Sequence, residues 1–156
     1  MLALMANDQT EDAAQIGPLL RQAHLSAARA FAEVLRPFGI EGRHYGVLHQ
    51  LDRHGPMSQR RLTDLSGEDK SSMVRAIDDL ERLGLAVRRP DPTDRRANAV
   101  ELTDAGRRLR AEAGSLAGRS AARMLDGFST AERDTFLDLL RRFIVDATTT
   151  PTKSSS

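Results

Sequence analysis

Between Asp69 and Leu102 the spacing of apolar residues changes once, and that change narrows the available folds more than any other feature of the chain. Val74, Ile77, Leu80 and Leu83 recur at three-residue steps, one apolar face of a helix that Asp69 can cap and Gly84 can end. Past Gly84 the step falls to two: Leu85 and Val87 alternate with Ala86 and Arg88, then Val100 and Leu102 with Ala99 and Glu101. Asp91-Pro92-Thr93-Asp94, between these runs, has turn composition. A shorter helix precedes, from the N-cap Ser58 through Leu62 and Leu65 to Gly67. Helices over 58–66 and 69–83, joined by a glycine-containing turn and followed by a two-stranded hairpin, predict a winged helix-turn-helix. In that arrangement the second helix enters the major groove of a duplex and the hairpin tip reaches an adjacent minor groove.

The remainder reads as helix. Ile16, Leu19, Leu20, Ala23, Ala27, Ala30, Phe31, Val34 and Leu35 recur at three- and four-residue steps, with Pro18 suited to a first turn. Tyr45, Leu48 and Leu51 mark a second helix closed by Gly55-Pro56. Thr103 caps a long helix with a sparse apolar set, and Ser129-Thr130-Ala131-Glu132 is a capping box. The helix it opens carries the stripe Phe136, Leu139, Leu140, Phe143 and Ile144. The expected class is therefore mainly α with a small β-hairpin wing. Its expected parts are a disordered arm over 1–12, a first long helix over 13–41 and a DNA-binding lobe over 42–102. A long helix and a C-terminal helix follow over 103–147, then a disordered tail over 148–156.

Composition removes several classes. With 156 residues one domain is expected, large enough for a core without staples. The absence of cysteine rules out disulfides, thiolate metal sites and a cysteine nucleophile. No stretch approaches the roughly 18 apolar residues of a membrane span, and Met1 to Ala6 lacks the basic flank of a signal peptide. A cytoplasmic protein with no membrane partner is expected. A net charge of +1 says nothing of partners, but residues 43–110 hold 14 basic and 11 acidic side chains, so the excess cation lies in the winged lobe.

Placement is more telling. Lys70, Ser71, Ser72 and Arg75 lie on the outward face of the second helix of the pair. They supply an ammonium, two hydroxyls and a guanidinium, which hydrogen-bond base edges and phosphates; a solvated helix face is the alternative. The acidic second half (Asp78, Asp79, Glu81) would point away from phosphate if the helix entered by its N-terminus. Arg88, Arg89, Arg95 and Arg96 surround the hairpin turn, where Asp94 can hold an arginine fork for a narrow minor groove. The alternative there is a surface ion-pair cluster.

Three stretches resemble the MarR (multiple antibiotic resistance regulator) family: Leu80-Glu81-Arg82-Leu83-Gly84-Leu85, Asp91-Pro92-Thr93-Asp94-Arg95-Arg96 and Glu101-Leu102-Thr103-Asp104-Ala105-Gly106. Gly55 to Leu62 fits as well. The resemblance implies a homodimeric bacterial transcription factor, usually a repressor, released from a pseudo-palindromic operator by a small aromatic or anionic ligand. It implies that Asp94 orients the wing and Arg96 enters the minor groove, with Arg95 a backbone contact or second reader. By the same likeness Lys70, Ser71, Ser72 and Arg75 take recognition-helix positions, and Ser58, Gln59 and Arg60 the helix start that touches phosphate. Leu19 and Leu20 with Phe136, Leu139, Leu140, Phe143 and Ile144 would pair two copies; an intramolecular core is the other reading. His24, His44 and Tyr45 are conceivable polar groups of a ligand pocket, against a satisfied or surface histidine.

His44, His49 and His54 turn about 140° per five-residue step on a helix and so share no face. No metal site and no cofactor are expected. A metal-responsive regulator or a winged-helix protein-interaction module remains the alternative to a ligand-released repressor. An enzyme is not expected: the chain has no glycine-rich phosphate loop, no His-Glu-x-x-His and no Gly-x-Ser-x-Gly.

Overall fold

The computed structural model describes residues 2–90 and 98–149. In chain order these form α1 (Leu2–Leu35), a single 3-10 turn (Arg36–Phe38), α2 (Gly42–His54), β1 (Met57–Ser58), α3 (Gln59–Ser66) and α4 (Lys70–Arg82). Then come β2 (Ala86–Pro90), β3 (Asn98–Leu102), α5 (Asp104–Met124) and α6 (Thr130–Thr149). The chain divides into two compact units, residues 1–120 and 121–156.

In the first unit α2, α3 and α4 pack around a mainly aliphatic core and the small sheet closes it. Leu35, Leu48, Leu62, Met73, Ile77, Leu80 and Val100 are its largest fully buried side chains, each contributing about 1.5–3 kcal/mol by leaving water. The sheet has three antiparallel strands in the order β1-β3-β2, so β2 is an edge. Its register pairs Ala86 with Leu102, Arg88 with Val100 and Pro90 with Asn98, while Met57 meets Val100 on the other side of β3. The expected hairpin thus gains a third strand, whose two residues are too few to carry a period of their own.

Three further expectations are corrected. α4 buries Met73, Ala76, Ile77 and Leu80, an i, i+3, i+4, i+7 stripe; Val74 is half-buried, and Leu83 caps the helix 49% exposed. At 100° per residue, steps of three drift off a helix face, which is why the face defined by Val74 and Leu83 is turned away from the true one. α1 begins at Leu2 and runs through the segment expected to be a disordered arm, leaving Pro18 well inside the helix and not in its first turn. Residues 2–15 contain no glycine or proline, so nothing in them stops a helix despite their lack of apolar periodicity. α6 also takes in Thr148 and Thr149 of the expected tail, and the rest of that tail lies outside the described residues.

The base of the wing is tied to α5 by a short set of contacts. Thr103 donates its backbone N–H to the Leu85 carbonyl at 3.1 Å and its hydroxyl to the Gly84 carbonyl at 2.7 Å. The same hydroxyl oxygen accepts the Gly106 N–H at 3.1 Å, capping α5. Gly106 is packed against the Leu85 carbonyl so closely that a β-carbon there would lie 2.0 Å from its oxygen.

The second unit contains the capping box read from the sequence. Ser129 donates its backbone N–H to Glu132 at 2.8 Å, and the Glu132 N–H returns to the Ser129 hydroxyl at 3.4 Å. The Ser129 hydroxyl and backbone bonds hold the Glu132 carboxyl below its ordinary pKa. Along α6, Phe136, Leu139, Phe143 and Ile144 are all exposed, while Leu140 is half-buried.

Candidate nucleic-acid interface

The expected DNA-facing residues of the helix pair fall at the first turn of α3 and the first two turns of α4. Ser58 leads from β1 into α3 and caps it, its hydroxyl accepting the Arg61 N–H at 3.3 Å. Gln59 and Arg60 follow in the first turn, Gln59 half-buried and Arg60 exposed. Asp69 caps α4, accepting the Ser72 N–H at 2.9 Å and the Ser72 hydroxyl proton at 2.6 Å. The Ser72 hydroxyl bond, then its backbone bond, hold the Asp69 carboxyl below the usual aspartate range, with Arg75 adding a smaller attraction. Ser72 is therefore a cap partner, its hydroxyl proton already engaged. Lys70, Ser71 and Arg75 are exposed around it.

Charge is sorted along α4. Among the described residues Arg60, Arg61, Lys70 and Arg75 form no ion pair. The acids of its second half are all engaged. Asp79 accepts from His44 Nε2 at 3.2 Å, pairs with Arg82 and lies 3.9 Å from Arg43. Asp78 and Glu81 both bind Arg88, Asp78 at 2.7 Å. Arg61 carries no signal in the sequence, and only its lack of an ion pair among the described residues marks it.

One of the four wing arginines differs from expectation. Arg88 does not project from the hairpin but folds back onto α4, half-buried between Asp78 and Glu81. Arg89 lies 3.4 Å from Glu101 on the neighbouring strand. Asp94, Arg95 and Arg96 lie outside the described residues.

Of the pocket candidates, His44 is buried and both ring nitrogens are engaged: Nδ1 accepts the Glu41 N–H at 3.0 Å, and Nε2 faces Asp79. It serves in the capping of α2 and has no nitrogen left for a ligand, a use that local spacing could not reveal. Its hydrogen bond is the largest cause, ahead of Arg82 and Arg43, of an Asp79 carboxyl held below the usual range. A carboxylate with a lowered native pKa adds stability at neutral pH, and that increment disappears as pH falls through the native value. Acid titration of thermal stability should therefore steepen below about pH 4, and Asp79→Asn should flatten the curve there; an unchanged curve would exclude Asp79 as a contributor.

Tyr45 is half-buried where α1, α2 and α5 meet. Its ring meets Phe31 edge-on at 5.1 Å and stacks over His49 at 6.3 Å. Arg110 of α5 binds His49 Nδ1 at 3.0 Å and Asp52 at 3.2 Å, and among the described residues its buried Nε has no hydrogen-bond partner. His24 is exposed on α1, and among the described residues no hydrogen bond or ring contact joins it to Tyr45. Phe31, His49 and Arg110 are the members of this cluster that sequence reasoning misses; only His49, one helical turn beyond Tyr45, carries a signal.

A helix-turn-helix with exposed cations at the start of its second helix, backed by a three-stranded wing, defines a winged-helix DNA-binding protein. The family model of the MarR family matches residues 38–97. A protein assigned to transcriptional regulation of the hcr operon in Thauera aromatica is 31% identical over 140 residues, 89% of this chain and 84% of that one. The crystal structure of a MarR-family transcriptional regulator from Rhodococcus sp. RHA1 is 30% identical and superposes with a TM-score of 0.75, covering 84% of this chain and 93% of the other. CouR from Rhodococcus jostii RHA1, bound to p-coumaroyl-CoA, is 31% identical with a TM-score of 0.76 over 90% of this chain and 95% of its own. The chain belongs to the MarR family: it is a DNA-binding transcriptional regulator and not an enzyme. No helix among the described residues is long and apolar enough to cross a membrane.

Proposed function

We propose that the protein is a homodimeric repressor that binds a pseudo-palindromic operator and leaves it when a small aromatic or anionic ligand binds. The observation that carries this reading is the sorting of charge on α4: Lys70 and Arg75 are exposed without ion pairs among the described residues, while Asp78, Asp79 and Glu81 are held by protein cations. Helix α4 lies in the major groove, with Ser71 and Arg75 toward base edges and Lys70 toward phosphate. Ser58, Gln59 and Arg60, with Arg61, meet the backbone from α3. By likeness to the family, Asp94 orients the wing and Arg96 enters the neighbouring minor groove, with Arg95 a backbone contact or second reader.

Dimerisation is supported by apolar surface. Leu19 is 59% exposed and Leu20 37% on α1, and Phe136, Leu139 and Phe143 are 44%, 53% and 45% exposed on α6. Exposed patches of this kind on a regulator call for a second copy. A two-fold axis then sets two α4 helices into successive major grooves about 34–36 Å apart. Ligand binding is assigned to Tyr45, His49 and Arg110 at the α1–α2–α5 junction, where an aromatic ring can stack and a guanidinium can meet an anion. CouR, whose ligand combines an aromatic acyl group with phosphates, supports that chemistry.

Footprinting on the DNA beside the protein's own gene, with light scattering on the same sample, tests the reading. Two protected half-sites one helical turn apart and a dimeric mass are expected. A monomer protecting a single half-site would overturn it.

A further inference from the structure

We propose that the acidic second half of α4 is the fastening of the wing, with Glu81 and Asp78 acting through Arg88 as positioning residues for DNA binding. The inference rests on the reading that α4 and the wing engage one duplex together. Strand β2 is the edge of the sheet, and an edge residue has backbone groups its single neighbour cannot satisfy. Arg88 gives its backbone N–H to Glu81 Oε1 at 2.8 Å. Its guanidinium reaches the other Glu81 oxygen and Asp78 at 2.7 Å. One residue of the edge strand is thus gripped three ways by two carboxylates a helical turn apart on the recognition helix. The side chains of Arg88 and Glu81 are only 26% and 31% exposed, so water competes weakly and charge-assisted bonds of this geometry are directional.

This grip decides something the apolar core cannot. Packing of aliphatic groups fixes how close the hairpin lies to α4, but it is non-directional and leaves the hairpin's tilt softly defined. A protein that must place a helix in one groove and a hairpin tip in the next binds well only when the angle between them is set beforehand. Simple electrostatics makes the opposite prediction for the same residues: an acid in a DNA-binding lobe repels phosphate, so its removal should tighten binding.

The sign of the effect is the test. Full-length Glu81→Ala, Glu81→Gln, Asp78→Asn and Arg88→Ala are titrated by fluorescence anisotropy against a duplex that the wild-type protein selects from a random-sequence pool, over a range of salt. Glu81→Ala is expected to weaken binding about ten-fold although it removes a negative charge, and Arg88→Ala to match it. Glu81→Gln should lose less, because its amide oxygen still accepts the Arg88 N–H. The slope of log K against log salt should stay at the wild-type value in all four, since every group that neutralises a phosphate is still present. Should Glu81→Ala not fold, Glu81→Gln and Asp78→Asn, which keep shape and size, decide the matter. Unchanged or tighter binding by the acid variants overturns the proposal, as does a fall of about one in the slope for Arg88→Ala alone, which would make Arg88 a phosphate contact. Loss of affinity on replacing Lys70 and Arg75, with none on replacing Glu81, would leave the DNA-binding reading standing and remove only this inference; no loss in either would remove the reading itself.

Discussion

Replacing Lys70 and Arg75 together with alanine is expected to lower DNA affinity about a hundredfold or more. Each side chain stands on the first two turns of α4, exposed and without an ion pair among the described residues. Their removal therefore breaks no ion pair among the described residues, and the folded lobe should melt near the wild-type temperature. A guanidinium on a guanine edge contributes about 1–3 kcal/mol of discrimination, and a lysine on phosphate adds affinity that salt erodes. The two single variants separate these roles. Lys70→Ala should weaken all sequences alike and reduce the salt slope by about one for each phosphate left without its cation. Arg75→Ala should relax preference at the base it reads while weakening the selected site most. A double variant that binds as tightly as wild type would remove α4 from the interface.

Gly106→Ala should be among the most destabilising single-methyl additions the fold can receive, at about 3 kcal/mol. The added carbon would sit 2.0 Å from the Leu85 carbonyl oxygen and 3.0 Å from its carbon. That neighbour is backbone, already held by the Thr103 N–H, so it cannot rotate aside as a side-chain tip would. Either the start of α5 or the end of the α4–β2 turn must shift, and both belong to the wing's base. For a domain of this length the loss corresponds to roughly 10 °C in melting temperature. Gly118, on the same helix with open space within 4 Å of where a methyl carbon would stand, provides the control: Gly118→Ala should be neutral or slightly stabilising, as alanine restricts the unfolded chain. Equal melting temperatures for the two variants would show that the close approach at Gly106 is not a constraint.

The two glycines also show why the sequence is legible only in part. The helix pair, the hairpin and the α6 capping box can be read because each is written locally, in a period or a cap within a few residues. Leu-Thr-x-x-Gly is recognised by likeness, yet its reason is tertiary: Thr103 closes on Gly84, and Gly106 clears the Leu85 carbonyl. Ser72, His44 and Arg88 read as chemical types, and each belongs instead to a partner that composition cannot name. Ser72 and His44 are claimed by Asp69 and by the Glu41–Asp79 pair, and Arg88 by carboxylates that look idle in the sequence. The first residues of α1 escape for a different reason, since that stretch has no apolar stripe by which a helix announces itself. The exposed cations at Lys70 and Arg75 are legible because they face outward, where the sequence alone decides what a partner meets.

The closure of Thr103 and Gly106 on Gly84 and Leu85 also gives the wing a lever. Five residues of strand reach about 17 Å from that hinge, so a tilt of about 5° in the first turn of α5 would carry the far end of β2 about 1.5 Å sideways. A hydrogen bond is lost over a smaller displacement than that. Held only at that base, the strand would multiply a small tilt at its far end; the bonds from Arg88 to Glu81 and Asp78 fall part-way along the arm and shorten it.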